Sequence, residues 1–323
     1  MSLNKINRGN RHNAIIELKL TDDTNFQEWF RLIQIASLTA EYISLPDFIP
    51  TANMDVIYSS RILKEKYPFY NQIVNLTLRN PITEIKGKLL ALQHNGVKNI
   101  LVVKGDSNYL NRLYLTYKNG QEIENNEPYN KLLEKIKSLP YDKYWTKTSL
   151  AIKELKEMDT KTNIGSTCNL GHVKEKKWEK ELRNIELKVR AKTDFFQTQA
   201  NFDLMRGLEH YDILKKTYPG IPIYFGLMQI RRKKDISFFE KKLGINIPDQ
   251  IKKRINKHIS NSDIYREGEE IFFDFLDSLI QQDISYVYYA LDNKRTLNQL
   301  YRFADKRNLI NEEALMHVAE TLG

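Results

Sequence analysis

Eight short apolar segments alternate with helical stretches along this 323-residue chain, and the alternation restricts its fold more than any other feature. A repeated strand–helix unit predicts parallel strands joined by right-handed crossovers. Eight such units are typical of a single-domain α/β fold, the (β/α)8 TIM barrel. The alternative is an open doubly wound sheet, which would want a glycine-rich phosphate loop after its first strand, and the sequence has none there. The predicted strands are 14–20, 41–45, 72–78, 100–103, 163–167, 194–199, 221–227 and 284–291.

Helical spacing of apolar residues occupies the segments between these strands. The predicted helices are 26–40, 54–66, 83–95, 129–139, 150–158, 172–191, 204–217, 236–243, 248–258 and 269–281. After the fourth strand, Asn119-Gly120 separates two short β-like runs, which predicts a small β-hairpin insertion. We expect a disordered basic N-terminus at 1–13 and one barrel domain at 14–323 that includes the C-terminal helices.

The composition excludes several classes of protein. No apolar run approaches the ~18 residues of a membrane span, so we expect neither a transmembrane helix nor a membrane partner. The first dozen residues lack the apolar segment of a secretion signal, which predicts a cytoplasmic protein. Cys168 is the only cysteine, which excludes an internal disulfide and a cysteine-based zinc site, and we expect no metal.

The net charge of +9 favours anionic partners. The lysines are spread along the whole chain, however, and no aromatic and glycine signature of nucleic-acid binding accompanies them. We therefore interpret the charge as a solvated basic surface and expect no nucleic-acid partner.

The fourth predicted strand runs into a charged turn. Its apolar run, Ile100 to Val103, is followed at the carboxyl end by Lys104, Gly105 and Asp106. Chemistry in parallel α/β folds takes place at that end, and glycine lets the backbone approach a ligand closely. The turn is a candidate ligand site, and an ordinary strand-to-loop turn is the alternative.

The predicted helix 172–191 has two stripes of different character. Glu181, Asn184 and Lys188 form a polar stripe whose spacing of three and four places them on one helix face. Such a face is typical of a cofactor-binding site or of a solvated helix rim. The apolar stripe beside it, which we expect to face the core, consists of Trp178, Leu182, Ile185 and Val189.

Several short motifs occur in a fixed order along the chain. They are Leu76-Thr77, Gly96 to Ile100 followed by Gly105-Asp106, Asp194-Phe195 through Thr198-Gln199 to Phe202-Asp203, Pro222 to Gly226, and Gly244 to Pro248. Their order and spacing, over about residues 14–293, resemble those of the methylenetetrahydrofolate reductase family. No single motif is specific, whereas the ordered set is.

The resemblance implies a flavin-containing oxidoreductase. Reductases of this family pass a hydride from NAD(P)H to bound FAD and then to 5,10-methylenetetrahydrofolate, giving the 5-methyl form for one-carbon metabolism and methionine biosynthesis. Glu17 matches the family's general acid, which protonates a pterin nitrogen as the methylene ring opens. Asp106 matches a catalytic aspartate near flavin and pterin. The alternative for Glu17 is an ion pair with a lysine such as Lys19.

Further residues match family positions that contact the ligands. For the substrate, Gln199 matches a glutamine that contacts folate and nicotinamide in turn, and Phe239 matches an aromatic on which they stack. Asp235 and Asn293 occupy the positions of a glutamine and of an arginine that reaches the folate tail. The matches to flavin positions are Lys104, Gly105, Asp106, His172, Glu181, Asn184, Lys188, Thr77 and Asn75.

The chain also departs from the family pattern. Asn75 replaces a histidine, Pro46 a threonine, Cys168 a tyrosine and Leu187 an arginine, and the aromatic-proline run after the acid is missing. These changes leave open a flavin-free reductase or a pterin-dependent methyltransferase on the same barrel. A non-catalytic partner subunit is a third alternative. The sequence predicts a small-molecule pterin or folate as the substrate, and it leaves open the electron donor, a homo-oligomer and an electron-donor partner protein.

Overall fold

The computed structural model describes residues 14–18, 26–47, 55–68, 70–78, 80–104, 145, 147–158, 161–171, 174–241, 243–290, 298, 301, 302 and 305. The strands are β1 Ala14–Leu18, β2 Tyr42–Leu45, β3 Asn71–Thr77, β4 Asn99–Val103, β5 Asn163–Cys168, β6 Phe196–Ala200, β7 Ile223–Leu227 and β8 Tyr286–Ala290. The helices are α1 Phe26–Thr39, α2 Val56–Lys66, α3 Ile82–His94, α4 Thr148–Met158, α5 Glu175–Arg190, α6 Leu204–Thr217, α7 Lys233–Lys241, α8 Asp249–Asn256 and α9 Asn261–Gln281.

The eight strands form a closed parallel barrel in sequence order. Each strand pairs with the next, and β1 closes the barrel against β8 with Glu17 opposite Tyr289. This arrangement confirms the predicted (β/α)8 fold and excludes the open sheet. The predicted hairpin near Asn119-Gly120, the helix 129–139 and the terminus 1–13 lie outside the described residues.

Most helix boundaries lie near the predicted ones, and α9 is the main difference. We predicted a start at residue 269, whereas the helix begins at Asn261. The Ser260 hydroxyl accepts a hydrogen bond from the backbone N–H of Asp263 at 3.1 Å and caps the helix there. The first two turns are rich in polar residues, so apolar spacing alone does not reveal them. Within the described residues, no helix combines the length and apolar character that a membrane span requires.

An apolar layer fills the interior of the barrel. It consists of Ile15, Tyr42, Ile73, Leu101, Phe195, Tyr224 and Val287, with Val103 and Tyr289 packed against it. Gly165 on β5 leaves space for the Phe195 ring, whose carbons would overlap a Cβ at that position. Because strand side chains alternate, the next inward residues toward the carboxyl ends lie two positions later. On β1, β2 and β3 these are Glu17, Ser44 and Asn75. The interior of the barrel therefore changes from apolar to polar side chains at the carboxyl ends of β1, β2 and β3.

A cluster of charges joins α8 to α9. The buried Glu267 carboxylate accepts hydrogen bonds from Arg254 Nε at 2.6 Å, and Lys257 Nζ lies 3.0 Å away. His258 Nε2 lies 2.7 Å from the same carboxylate. Burial alone would raise the Glu267 pKa, but the hydrogen bonds from His258, Lys257 and Arg254 lower it to about 2.

This cluster predicts a specific loss of stability in acid. Because the folded pKa lies below the ordinary value of 4.5, the stabilisation is complete above pH 4.5 and disappears as the pH falls toward 2. Glu267→Gln should lower the free energy of unfolding by about 2 to 3 kcal/mol at pH 7. Urea unfolding at pH 7 and pH 2.5 measures this, with exposed Glu270→Gln on the same helix as control. A Glu267 variant as stable as the Glu270 variant at pH 7 would contradict it.

Candidate functional site

Glu17 lies at the carboxyl end of β1, inside the barrel mouth. Its side chain is partly buried, and β1 places it opposite Ser44 of β2 and Tyr289 of β8. Asn75 Nδ2 donates a hydrogen bond to Glu17 Oε2 at 3.0 Å. Removal from water raises the Glu17 pKa from 4.5 to about 7, although the Asn75 hydrogen bond opposes that change. Near neutral pH, this carboxyl group can both hold and release a proton.

Asn75 uses both ends of its amide inside the protein. While Nδ2 donates to Glu17, Oδ1 accepts a hydrogen bond from the Ser44 hydroxyl at 3.2 Å. Ser44 and Asn75 are both buried. The structure therefore places Asn75, a predicted cofactor contact, beside the predicted acid.

Thr77 ends β3 and is held by a carboxylate that the sequence analysis did not identify. Its backbone N–H and its hydroxyl both donate to Asp47 Oδ2 at 3.1 Å. Lys88 Nζ lies 3.4 Å from Asp47 Oδ1. Asp47 follows Pro46 directly after a predicted strand, so its place at a carboxyl end was the available signal. Here the Thr77 hydroxyl serves to fix the ends of β2 and β3.

The polar face of α5 packs against the carboxyl end of β5. Glu181 Oε1 accepts a hydrogen bond from the Asn169 backbone N–H at 3.1 Å, and Asn184 Nδ2 donates to Glu181 Oε2 at 3.4 Å. Lys188 Nζ donates to the Thr167 carbonyl at 2.6 Å. The structure thus brings the three predicted residues together. On the apolar stripe beside this face, Trp178 and Ile185 are buried as expected.

Cys168 lies at the same end of β5. Burial raises the pKa of its thiol to about 12, while the nearby Lys188 lowers it. The thiol is therefore protonated at neutral pH and is a poor nucleophile.

A bulge in β6 sets the direction of Gln199. Gln197 pairs with Tyr224 and Ala200 pairs with Gly226, so β6 carries one extra residue between these pairs. The Thr198 hydroxyl accepts a hydrogen bond from the Gly226 N–H at 2.8 Å, and the Thr198 carbonyl accepts one from the Tyr289 hydroxyl at 2.5 Å. Gln197 is fully buried, whereas Gln199 is exposed. Regular alternation along a strand would place Phe195, Gln197 and Gln199 on one side, and the bulge interrupts that alternation.

Phe239 and Asp235 lie on α7, and both make internal contacts. Phe239 is buried and stacks on Phe202, with ring centroids 5.2 Å apart. Asp235 Oδ2 accepts hydrogen bonds from the backbone N–H groups of Arg231 at 2.9 Å and Arg232 at 3.0 Å. Its carboxylate therefore caps the start of α7.

Sequence comparison assigns the chain to a family. The sequence profile described as methylenetetrahydrofolate reductase matches residues 60–304, which is more than half of the chain and includes β3 to β8. The chain belongs to the methylenetetrahydrofolate reductase family. Because the matched range begins after Glu17, the role of Glu17 stays a prediction. No curated protein matches the sequence significantly.

Solved structures that resemble this reductase-family chain share little sequence with it. One is an uncharacterized protein from Clostridium thermocellum that binds two copies of 5-methyl-5,6,7,8-tetrahydrofolic acid. It is 14% identical, with a TM-score of 0.58 over 91% of this chain and 95% of that one. Yersinia pestis DHPS with a pterine-sulfa conjugate is 11% identical, with a TM-score of 0.44 over 93% and 95% of the two chains. At 14% identity, the likeness to the Clostridium thermocellum protein concerns the fold alone.

Members of the methylenetetrahydrofolate reductase family are generally flavin-linked, and the described residues fit one part of FAD. Lys104 is exposed at the end of β4, and Lys188, which donates to the Thr167 carbonyl, supplies a second positive charge on the face of α5 that carries Glu181. Two ammonium groups fit the pyrophosphate, and a carboxylate fits ribose hydroxyls. Thr77 and Asn75 are bonded to other side chains instead. The remaining predicted ligand residues, Gly105, Asp106, His172 and Asn293, lie outside the described residues.

Proposed function

We propose that this protein is an oxidoreductase that reduces a 5,10-methylene-tetrahydropterin to its 5-methyl form. The substrate is methylenetetrahydrofolate or a modified analogue, and the reaction belongs to cytoplasmic one-carbon metabolism and methionine biosynthesis. One observation carries the proposal. Glu17 is a carboxyl group at the barrel mouth whose pKa is raised to about 7, which is the property that a general acid needs at neutral pH. Membership of the reductase family supports the same reaction class.

The proposed chemistry assigns one proton transfer to Glu17. As the methylene bridge opens, a carbon–nitrogen bond breaks and its electron pair stays on the departing nitrogen. Glu17 gives its proton to that nitrogen, and the methylene carbon, now part of an iminium, accepts a hydride to become the methyl group. The Glu17 carboxylate then regains a proton from solvent before the next cycle.

FAD is the proposed hydride carrier. Lys104, Glu181, Asn184 and Lys188 would hold its ribose and phosphate part, together with Gly105, Asp106 and His172 from the predicted set. When bound, FAD would take a hydride from NAD(P)H or another electron donor and pass it to the substrate. Asp106 is also the proposed contact between flavin and pterin.

The substrate contacts are proposed from the sequence and adjusted by the geometry. Gln199 is exposed at the end of β6 and would contact the pterin. Phe239 would require a movement of Phe202 before it could stack on a ligand. Asp235 already accepts hydrogen bonds from Arg231 and Arg232, so it repels an acidic folate tail less than a free carboxylate would. We therefore propose that the tail binds these basic residues or Asn293.

A flavin-free reductase is the second candidate. It is favoured by the bonding of Asn75 to Glu17 and of Thr77 to Asp47, because both residues were predicted flavin contacts. In that case the hydride would pass to the methylene carbon directly from a nicotinamide.

Flavin binding separates the two candidates. We expect FAD added to the purified protein to raise its melting temperature and to remain bound through gel filtration, with visible flavin absorbance. Lys188→Ala should weaken FAD binding about tenfold, because a charge-assisted contact to phosphate contributes roughly 1.4 kcal/mol or more. Lys180→Ala, on an exposed position of the same helix, is the control.

Two results would contradict the expected binding of FAD. If neither FAD nor FMN binds, and NAD(P)H alone reduces the methylene compound, the flavin-free mechanism replaces the first. If Lys188→Ala and Lys180→Ala bind FAD equally well, the assigned α5 face is wrong.

A further inference from the structure

A line of three polar side chains crosses the first three strands of the barrel. The Ser44 hydroxyl on β2 donates a hydrogen bond to Asn75 on β3 at 3.2 Å. Asn75 in turn donates a hydrogen bond to Glu17 on β1 at 3.0 Å. Ser44 is fully buried and Asn75 is nearly so, while Glu17 is partly exposed. The line therefore starts inside the sheet and ends at the barrel mouth.

The hydroxyl of Ser44 sets the orientation of the Asn75 amide. Because Oδ1 of Asn75 accepts the Ser44 hydrogen bond, its NH2 group is directed to Glu17 Oε2. An amide N–H can only donate, so a proton on Oε2 would compete with it. The protonated form of Glu17 then carries its O–H on the other oxygen, Oε1.

We propose that Asn75, oriented by Ser44, is a positioning residue that holds Glu17 by Oε2 and leaves Oε1 to deliver the proton. The inference rests on the proposed role of Glu17 and deepens it. It also gives Asn75 a task other than the cofactor contact predicted from the sequence. The hydrogen bond restricts the Glu17 carboxyl to one direction, which keeps the reactive oxygen aimed at one place in the mouth.

The charged and titratable neighbours of Glu17 do not obscure this role. On β8, Tyr289 is the cross-strand neighbour, and its pKa is raised well above 10 by burial and by Glu17. It is therefore neutral where Glu17 titrates. From β2 and β3 the neighbours are Ser44 and Asn75, which do not titrate. Among the described residues, a change in the titration of Glu17 can thus be traced to the amide.

The test measures the titration of Glu17 in the full-length protein. Carbon-13 NMR follows the labelled glutamate carboxyl groups, and Glu17→Gln identifies the signal of Glu17. The wild type should titrate with a midpoint of about 7. Asn75→Ala removes a donor that favours the ionised form, so the midpoint should rise by about one pH unit. Ser44→Ala, a milder change, should raise it by a smaller amount because the amide is no longer oriented.

The same variants are compared in the pH profile of methylene reduction. A general acid must be protonated, so activity falls above its pKa, and the alkaline limb should move to higher pH with the NMR midpoint. Asn99→Ala is the matched control. Asn99 is a buried amide at the amino end of β4, away from the barrel mouth, and it donates a hydrogen bond to the Gln72 carbonyl. It should leave the titration of Glu17 unchanged.

The outcomes distinguish this inference from the function on which it rests. If Glu17→Gln abolishes reduction but the midpoint is the same in wild type, Asn75→Ala and Ser44→Ala, the positioning role is wrong and the proposed function stands. If Glu17→Gln retains full activity, the proposed function fails, whatever the NMR midpoints show. An upward shift in Asn75→Ala that Asn99→Ala does not reproduce supports the positioning role.

Discussion

Glu17→Gln is expected to lower the rate of methylene reduction by about a hundredfold to ten-thousandfold, the usual contribution of a general acid. Glutamine keeps the size and the hydrogen-bonding capacity of the side chain but holds no acidic proton. In the proposed flavin mechanism, reduction of the flavin by a nicotinamide breaks no carbon–nitrogen bond, so that half-reaction should keep its wild-type rate. Stopped-flow absorbance measures the two half-reactions separately.

The control for Glu17→Gln makes the same chemical change at the other end of the barrel. Glu41 directly precedes β2, at the amino end of the sheet. Glu41→Gln should leave both half-reactions at wild-type rates. Equal losses in both half-reactions of Glu17→Gln would assign Glu17 to folding or ligand binding instead of proton transfer.

Gly226→Ala should produce the largest loss of stability among the single substitutions considered. A Cβ at this position would overlap the Thr198 carbonyl oxygen and lie 2.5 Å from the Gln199 carbonyl oxygen. Both atoms belong to the backbone of the β6 bulge, which cannot rotate away as a side-chain end can. We expect the free energy of unfolding to fall by about 3 kcal/mol. Urea unfolding measures the change.

Gly87→Ala is the matched control. Gly87 lies inside α3, and no heavy atom would come within 4 Å of a Cβ there. Because alanine favours a helix interior over glycine, this substitution should stabilise the protein by about 0.5 to 1 kcal/mol. If Gly226→Ala changed stability by no more than Gly87→Ala does, β6 and β7 could separate at the bulge, and the expected overlap with the β6 backbone would be wrong.

The barrel could be predicted from the sequence because its information is local. Each strand is a short apolar run beside a helix with apolar spacing, and eight repeats leave few architectures. The start of α9 was missed because a serine cap and polar first turns carry no apolar signal. The β6 bulge was missed because it depends on contacts of Thr198 with Gly226 and Tyr289, which are distant in sequence.

The candidate site was predictable only in part, because its contacts also join residues that are distant in sequence. The sequence placed Glu17 and Asn75 within the predicted strands 14–20 and 72–78, and it predicted that Asn75 contacts the cofactor. Its contact with Glu17 joins residues 58 positions apart, and only the closed barrel brings them together. Asp47 was not identified from the sequence, although it fixes Thr77. Phe239 matched a stacking aromatic, yet its ring is buried against Phe202, a contact that spacing cannot reveal.

The most direct test of the proposed function is the identification of its product. The purified protein is incubated without oxygen with 5,10-methylenetetrahydrofolate and an excess of NAD(P)H and FAD, and the pterins are separated by chromatography and identified by mass spectrometry. We expect 5-methyltetrahydrofolate with the wild type and almost none with Glu17→Gln. The proposed function would be contradicted if the wild type left both the folate and a modified methylene-pterin unchanged with every reductant, including chemically reduced FAD.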